Sequence, residues 1–165
     1  NVFKTQGLQF GMEAEIGKLT FQTNLALIGY YNPNWREFAE LDQFTYTNEF
    51  QASLSYQIGK KGPDLFVLVR KNDRLISFFP DRDEEGNEIL GTRYQEGFSL
   101  LNVSIGQRLW KNRLALRTGV RNLLNVQQVG TSGVGGGAHS GSGTSSPISP
   151  GRNFFMQAIL NLAWD

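Results

Sequence analysis

Between residues 44 and 58 the chain alternates with a period of two. Phe44, Tyr46, Phe50, Ala52, Leu54, Tyr56 and Ile58 fall on one side, and Thr45, Thr47, Glu49, Gln51, Ser53, Ser55 and Gln57 on the other. A helix has no use for that spacing; it is the mark of a β-strand with one face in an apolar medium and the other in a polar one. The alternating segments of the chain run to roughly 10 to 15 residues, beyond the usual 5 or 6 of soluble sheets and enough for the 9 to 11 that cross a bilayer at a tilt. Any fold of this chain must therefore supply a continuous apolar surrounding, a second sheet or lipid, to one face of every such strand.

The pattern recurs along the sequence. Leu8, Phe10, Met12, Ala14 and Ile16 share a face opposite Gln9, Gly11, Glu13 and Glu15; Gly17-Lys18 makes a tight turn; and Leu19, Phe21, Thr23, Leu25, Leu27 and Tyr31 continue the apolar side. This reads as a hairpin. The alternation lapses over residues 32–43 and resumes in the strand described above. A turn at 59–64 then leads into 65–79, expected to be one strand of blurred period, with a turn at 71–74 as the other reading. Residues 81–93 read as a charged loop. Leu101, Val103, Ile105 and Leu109 mark the next strand, residues 110–113 its turn, and Leu114, Leu116, Thr118 and Val120 the return. A Gly/Ser-rich loop is expected over 126–150. The chain closes on one more apolar face, Phe154, Met156, Ala158, Leu160, Leu162 and Trp164.

About seven strands and no helix are expected. The short turns near Gly17, Lys60 and Lys111 alternate with long connections near Asn34, Glu84 and Gly136, which puts all short turns at one end of the sheet and all long ones at the other. Tyr30, Tyr31, Phe44, Tyr46, Phe78, Phe79, Trp110, Phe154 and Trp164 lie near strand ends, as interfacial girdles require. The fold class this predicts is all-β, made of antiparallel transmembrane β-barrel strands, with a soluble sandwich as the competing arrangement.

Composition narrows the field. Sixteen Lys and Arg nearly balance fifteen Asp and Glu, and no basic block runs along the sequence, so nucleic acid is not an expected partner. There is no cysteine, which excludes disulfides and thiolate metal sites. No stretch approaches the roughly 18 apolar residues of a transmembrane helix, and no signal-peptide pattern opens the sequence. The mean hydropathy of −0.33 is neutral on the membrane question, because a barrel strand shows lipid only every second residue.

Gly119-Val120-Arg121-Asn122-Leu123-Leu124-Asn125, a long loop, then Gly151-Arg152-Asn153-Phe154-Phe155 and a final alternating strand together resemble the C-terminus of a TonB-dependent outer-membrane receptor. In that family the next-to-last strand ends in Asn-Leu-aromatic-Asn, and the last begins with Gly-Arg and ends in an aromatic. Leu124 stands here where the family has Phe, and Asp165 follows the terminal aromatic. The Gly-Gly-Gly-Ala-His-Ser-Gly run resembles loops of receptors from the Bacteroidetes.

The resemblance implies a barrel of about 22 strands filled by an N-terminal plug. It implies active import across the bacterial outer membrane of a scarce nutrient, such as a ferric siderophore, cobalamin or an oligosaccharide, energised through TonB. Residues 1–165 are then expected to be the C-terminal part of such a barrel, with the plug domain and the TonB-contacting N-terminal region outside this sequence. Seven strands leave two unpaired edges in lipid, so the remainder of the barrel or a complementing chain is an expected partner, alongside outer-membrane lipid. A structural or docking role beside a surface lipoprotein is the competing functional reading. By the same resemblance the short turns are periplasmic, the long loops face outward, and Phe154, Met156, Ala158, Leu160, Leu162 and Trp164 close the barrel and form the signal for its assembly machinery.

No catalytic, cofactor-binding or metal-binding residues are expected. Asp81-Arg82-Asp83-Glu84-Glu85-Gly86-Asn87 partly imitates a calcium loop, but Thr92 occupies the twelfth position, where a bidentate glutamate is needed, and no helices flank it. A solvated loop is the simpler reading. His139 is the single histidine and cannot close a metal site alone. Residues 133–138 match a relaxed dinucleotide spacing without a following helix, and glycine-rich flexibility explains them. Glu13 and Glu15 read as lumen-lining carboxylates rather than an acid/base pair. Tyr31, Trp35, Arg82 and His139 lie on the expected outer loops and are the candidate substrate-facing residues, although for the aromatics near Tyr31 a girdle is the preferred reading.

Overall fold

A computed structural model describes residues 4–111, 113–134 and 143–161. The described chain is all-β, 69% strand with no helix. Eleven strands follow one another: β1 Thr5–Ile16, β2 Leu19–Tyr31, β3 Phe44–Gln57, β4 Asp64–Asn72, β5 Leu75–Arg82, β6 Glu88–Gln95, β7 Phe98–Leu109, β8 Leu114–Arg121, β9 Gln128–Val134, β10 Thr144–Pro147 and β11 Asn153–Leu160. They form a seven-stranded sheet, β1-β2-β3-β4-β7-β8-β11, and a four-stranded sheet, β10-β9-β6-β5, with every pairing antiparallel.

The seven strands of the larger sheet are those expected from the alternation. Register keeps the two faces distinct across the whole width. Phe10 lies opposite Leu25, Leu25 opposite Phe50, Leu54 opposite Phe21 and Val67, Val67 opposite Val103, Val103 opposite Val120, and Val120 opposite Phe154. A slip of one residue anywhere would turn that strand inside out. The other face carries cross-strand polar pairs: Gln9 donates to Asn24 at 3.0 Å, Arg70 to Gln51 at 3.1 Å and Asn72 to Glu49 at 3.0 Å.

Both faces of the larger sheet are uncovered among the described residues. Among the described residues no element lies face to face against it; the sandwich arrangement is not what the chain adopts, and the sheet is open rather than closed into a barrel, with β1 and β11 at its edges. Leu8, Phe10, Met12 and Ile16 on β1 and Phe154, Met156 and Leu160 on β11 are all exposed. The only buried hydrophobic residues among those described are Leu41 and Val129. The accessible surface, 12126 Å², is about half as large again as the roughly 8,200 Å² of a compact globule of 18.5 kDa.

The long connections depart from expectation. The expected single strand over 65–79 breaks at Asp73 and Arg74 into β4 and β5. Asp73 N still donates to Asn48 O at 2.9 Å and Thr47 Oγ1 to Arg74 O at 3.2 Å, the last rungs before β5 leaves β3 and pairs with β6. The expected charged loop over 81–93 shrinks to a tight turn at 83–87, its second half being β6. The Gly/Ser-rich loop contains β9 and β10, because β6 offers β9 a free edge, pairing Tyr94 with Ser132 and Gln95 with Thr131. Phe78 and Phe79 therefore belong to the smaller sheet rather than to a girdle at the rim of the larger one. Leu162, Trp164 and His139 lie outside the described residues.

In the smaller sheet the Phe79 ring lies against Gly91, its paired residue, with the Arg93 guanidinium 5.4 Å from the ring centroid. A Cβ at Gly91 would come within 2.6 Å of that ring. Gly91→Ala is expected to lift Phe79 and loosen the β5–β6 hairpin by about 1 kcal/mol. Amide exchange should quicken in β5 and β6 and stay unchanged in β1 and β2; equal protection in all four strands would refute this packing.

Candidate functional site

Two of the candidate residues, Tyr31 and Trp35, lie at the end of the larger sheet that carries the long connections. There β2 hands over to residues 32–43, which fold back on a buried amide. Asn32 Nδ2 donates to Asp42 O at 2.7 Å and to Thr45 Oγ1 at 2.9 Å, while its backbone N–H donates to Gln43 O at 3.0 Å. This closes the loop as a staple between strands β2 and β3. Trp35 N donates to Asn32 O and Leu41 N to Phe38 O, compacting the loop over Leu41.

The staple brings two of the four candidates together. Trp35 Nε1 donates to Tyr31 Oη at 3.2 Å, the Tyr31 ring meets Phe44 edge-on at 5.7 Å, Lys4 Nζ sits 5.4 Å from the Tyr31 centroid, and Arg36 sits 5.3 Å from that of Trp35. One face of each ring is thus already covered by a cation. The cluster presents a mixed aromatic and cationic surface, in which a ligand stacking on the covered faces would compete with Lys4 and Arg36.

Arg82 stands apart from this cluster, exposed at the tip of the β5–β6 hairpin. The turn below it is held by Asp83, whose carboxylate accepts from Asn87 N at 2.8 Å, Glu85 N at 3.0 Å and Asn87 Nδ2 at 3.0 Å, with Gly86 at φ 86°. Both oxygens of the Asp83 carboxylate are thus engaged by the turn itself. Among the described residues no three His, Asp or Glu side chains are grouped to hold a metal. Glu13 and Glu15 occupy successive exposed positions on the polar face of β1.

A second cluster, not among the candidates, organises the return from β8 to β11. Asn122, buried and at φ 51°, donates through Nδ2 to Val126 O at 2.7 Å and Ser149 Oγ at 3.0 Å, accepts from Val126 N at 3.0 Å, and donates its backbone N–H to Asn102 Oδ1 at 2.8 Å. Asn125, at φ 59°, accepts the Arg152 backbone N–H at 3.0 Å, and the Arg152 guanidinium donates twice to Leu123 O, at 3.1 and 2.9 Å. Asparagine is one of the few side-chain-bearing residues that tolerate such backbone angles. The two halves of the sequence motif are therefore bonded to each other. Repeated Asn around a Leu pair was the available signal; its meaning required the distant Gly-Arg to come into reach.

Comparison with protein-family models, with curated proteins and with solved structures finds no match.

Asn122→Ala removes the buried amide of the clamp and leaves Val126 N–H and O unpaired, which is expected to cost about 2 to 3 kcal/mol, whereas Arg152→Ala, at an exposed site, should cost about 1 kcal/mol. Equal losses in denaturant unfolding would overturn that ranking. The Asn87 side-chain amide, then its backbone N–H, hold the Asp83 carboxyl below its ordinary value of 3.8. A depressed folded pKa stabilises the turn above the unfolded value and ceases to do so as pH falls through the folded one. The Glu85 and Asn87 amide resonances are expected to hold steady above pH 3.8 and to shift toward disordered values below it. Asp83→Ala should abolish the transition.

Proposed function

We propose that this chain forms part of the wall of a transmembrane β-barrel in the bacterial outer membrane, of the TonB-dependent receptor type, which imports a scarce nutrient. The observation that carries the reading is the continuous apolar face, exposed on six of the seven strands and half-buried on β4, backed by a polar face and, among the described residues, by no packed core. Monomeric soluble proteins rarely leave contiguous apolar patches above a few hundred Å². A sheet of seven strands at about 4.8 Å spacing is about 34 Å wide, so a face of this height presents on the order of 1,000 Å². From Tyr46 to Tyr56 the apolar face of β3 runs about 33 Å along the strand, or about 25 Å across a membrane at a 40° tilt, the height of the lipid-facing band of such barrels with an aromatic at each border.

Short turns at one rim and elaborated connections at the other support the same orientation: short turns periplasmic, the four-stranded sheet and the Tyr31–Trp35 cluster outside. The clamp between residues 122–125 and 151–152 supports the receptor type, since the residues that resemble the family's closing motif are those joined by hydrogen bonds. In this reading β1 and β11 are not final edges; each pairs with a strand beyond these residues, because an open edge is untenable in lipid.

The reading is tested on the two faces of one strand. Leu54→Arg sets a charge on the lipid side and is expected to cost roughly 2 to 4 kcal/mol and to block assembly into the outer-membrane fraction, while Ser53→Arg, on the polar side, should assemble nearly as the parent does. Indistinguishable assembly of the two variants, or recovery of the parent in the detergent-free soluble fraction, would refute it.

A further inference from the structure

The rim that carries the short turns is basic. Hairpins β1–β2, β3–β4 and β7–β8 stand side by side in the larger sheet and bring Lys18, Lys60, Lys61 and Lys111 to its end, and Arg108 and Arg117 rise behind them on the polar face. Together they line an open groove of about 940 Å³ floored by Thr20, Ser55 and Gln57. Only Glu15 and Asp64 oppose these six cations in the groove, and among the described residues the one ion pair there is a long one, Arg117 to Asp64 at 3.8 Å. Like charges gathered this closely raise the local potential and stabilise whatever counter-charge enters.

The spacing selects the counter-charge. Adjacent hairpins are two strands apart, about 10 Å, so the Lys18 turn and the Lys111 turn lie about 20 Å from one another. A single phosphate or carboxylate reaches one turn. An extended polypeptide of about six residues spans all three at about 3.3 Å per residue, and the hydroxyls and amide of the floor are suited to its backbone. The lysine ammonium groups act as separate point charges, one for each carboxylate of a segment that passes over the three turns.

We propose that this groove binds an extended acidic polypeptide segment, its carboxylates seated on the three lysine-bearing turns. The inference does not depend on lipid covering the opposite face. A fluorescent decaglutamate peptide, titrated into the intact protein in nonionic detergent and followed by anisotropy, is expected to bind saturably and to weaken about tenfold between about 50 and 200 mM salt. Lys60→Glu with Lys61→Glu should weaken it at least about tenfold, and Arg36→Glu, at the opposite rim, should leave it unchanged. Far-ultraviolet circular dichroism equal to that of the parent shows that the double variant keeps its sheet; should it not, Lys18→Gln with Lys111→Gln serves in its place. No saturable binding, binding indifferent to the rim substitutions, or tighter binding of an oligonucleotide or polyphosphate of equal length would overturn the proposal.

Discussion

The backbone ladder bears the structure. In most domains of this size the strands are held together because their side chains share an interior; here almost no side chain is fully withdrawn from the surface, and each strand is held by its neighbours in the plane of the sheet. The stabilising contacts are the inter-strand N–H to O=C bonds and the cross-strand pairs such as Leu25 with Phe50 or Gln51 with Arg70. Such a sheet owes little to shape complementarity in a third dimension and much to what lies against its faces. In water its apolar side would be a liability; against hydrocarbon the same side is matched, and the absence of competing water strengthens every rung of the ladder.

Long uninterrupted ladders need firm ends, and the chain secures them with buried or bent asparagines. Asn32 closes the connection from β2 to β3, and Asn122 with Asn125 closes that from β8 to β11. The amide group suits both tasks, since one side chain donates and accepts at once and its residue tolerates the left-handed backbone where the chain must reverse. Arg152 adds a charged donor to the backbone carbonyl of Leu123, just past the end of β8. The two rims differ in kind: tight turns with glycine or positive-φ residues at one, side-chain staples at the other.

The larger sheet was legible because each of its strands has two distinct surroundings, and two surroundings write a period of two. Phe44 to Gln57 shows this plainly. Where both faces meet similar surroundings the signal fades: β4 places Leu65, Val67 and Val69 on one face and Phe66 and Leu68 on the other, so the period did not mark its end at Asn72, which only the alternative reading of a turn at 71–74 approached. β6 and β9 were hidden for a different reason. β6 mixes Ile89, Leu90 and Tyr94 with Gly91, Arg93 and Gln95, β9 sets Val129 among glycine and polar residues, neither alternates, and they become strands by pairing with β5 and with each other, a relation between segments some forty residues apart. Of the site, the Tyr31–Trp35 neighbourhood followed from position, since a four-residue separation across a turn keeps side chains close. The remoteness of Arg82 did not follow, and neither did the basic rim. Lys18, Lys60, Lys61 and Lys111 are scattered singly or in pairs through a nearly neutral sequence, and only hairpin stacking gathers them.

The departure of the chain from β3 at Asp73 and Arg74, where β4 gives way to β5, has a consequence for how such a sheet can vary. Below that point each strand is bound on both sides or stands at an edge, and every residue is committed to one face, so a length change there is tolerated only in steps of two residues per strand, four per hairpin. Above it the four-stranded sheet has only local packing to keep, Phe79 on Gly91 and the buried Val129, and its hairpin ends can lengthen or shorten more freely. The branch point therefore divides the chain into a region where insertions are quantised and one where they are freer. Novelty in a lineage of such proteins should accumulate on the freer side, with the wall beneath it unchanged in register.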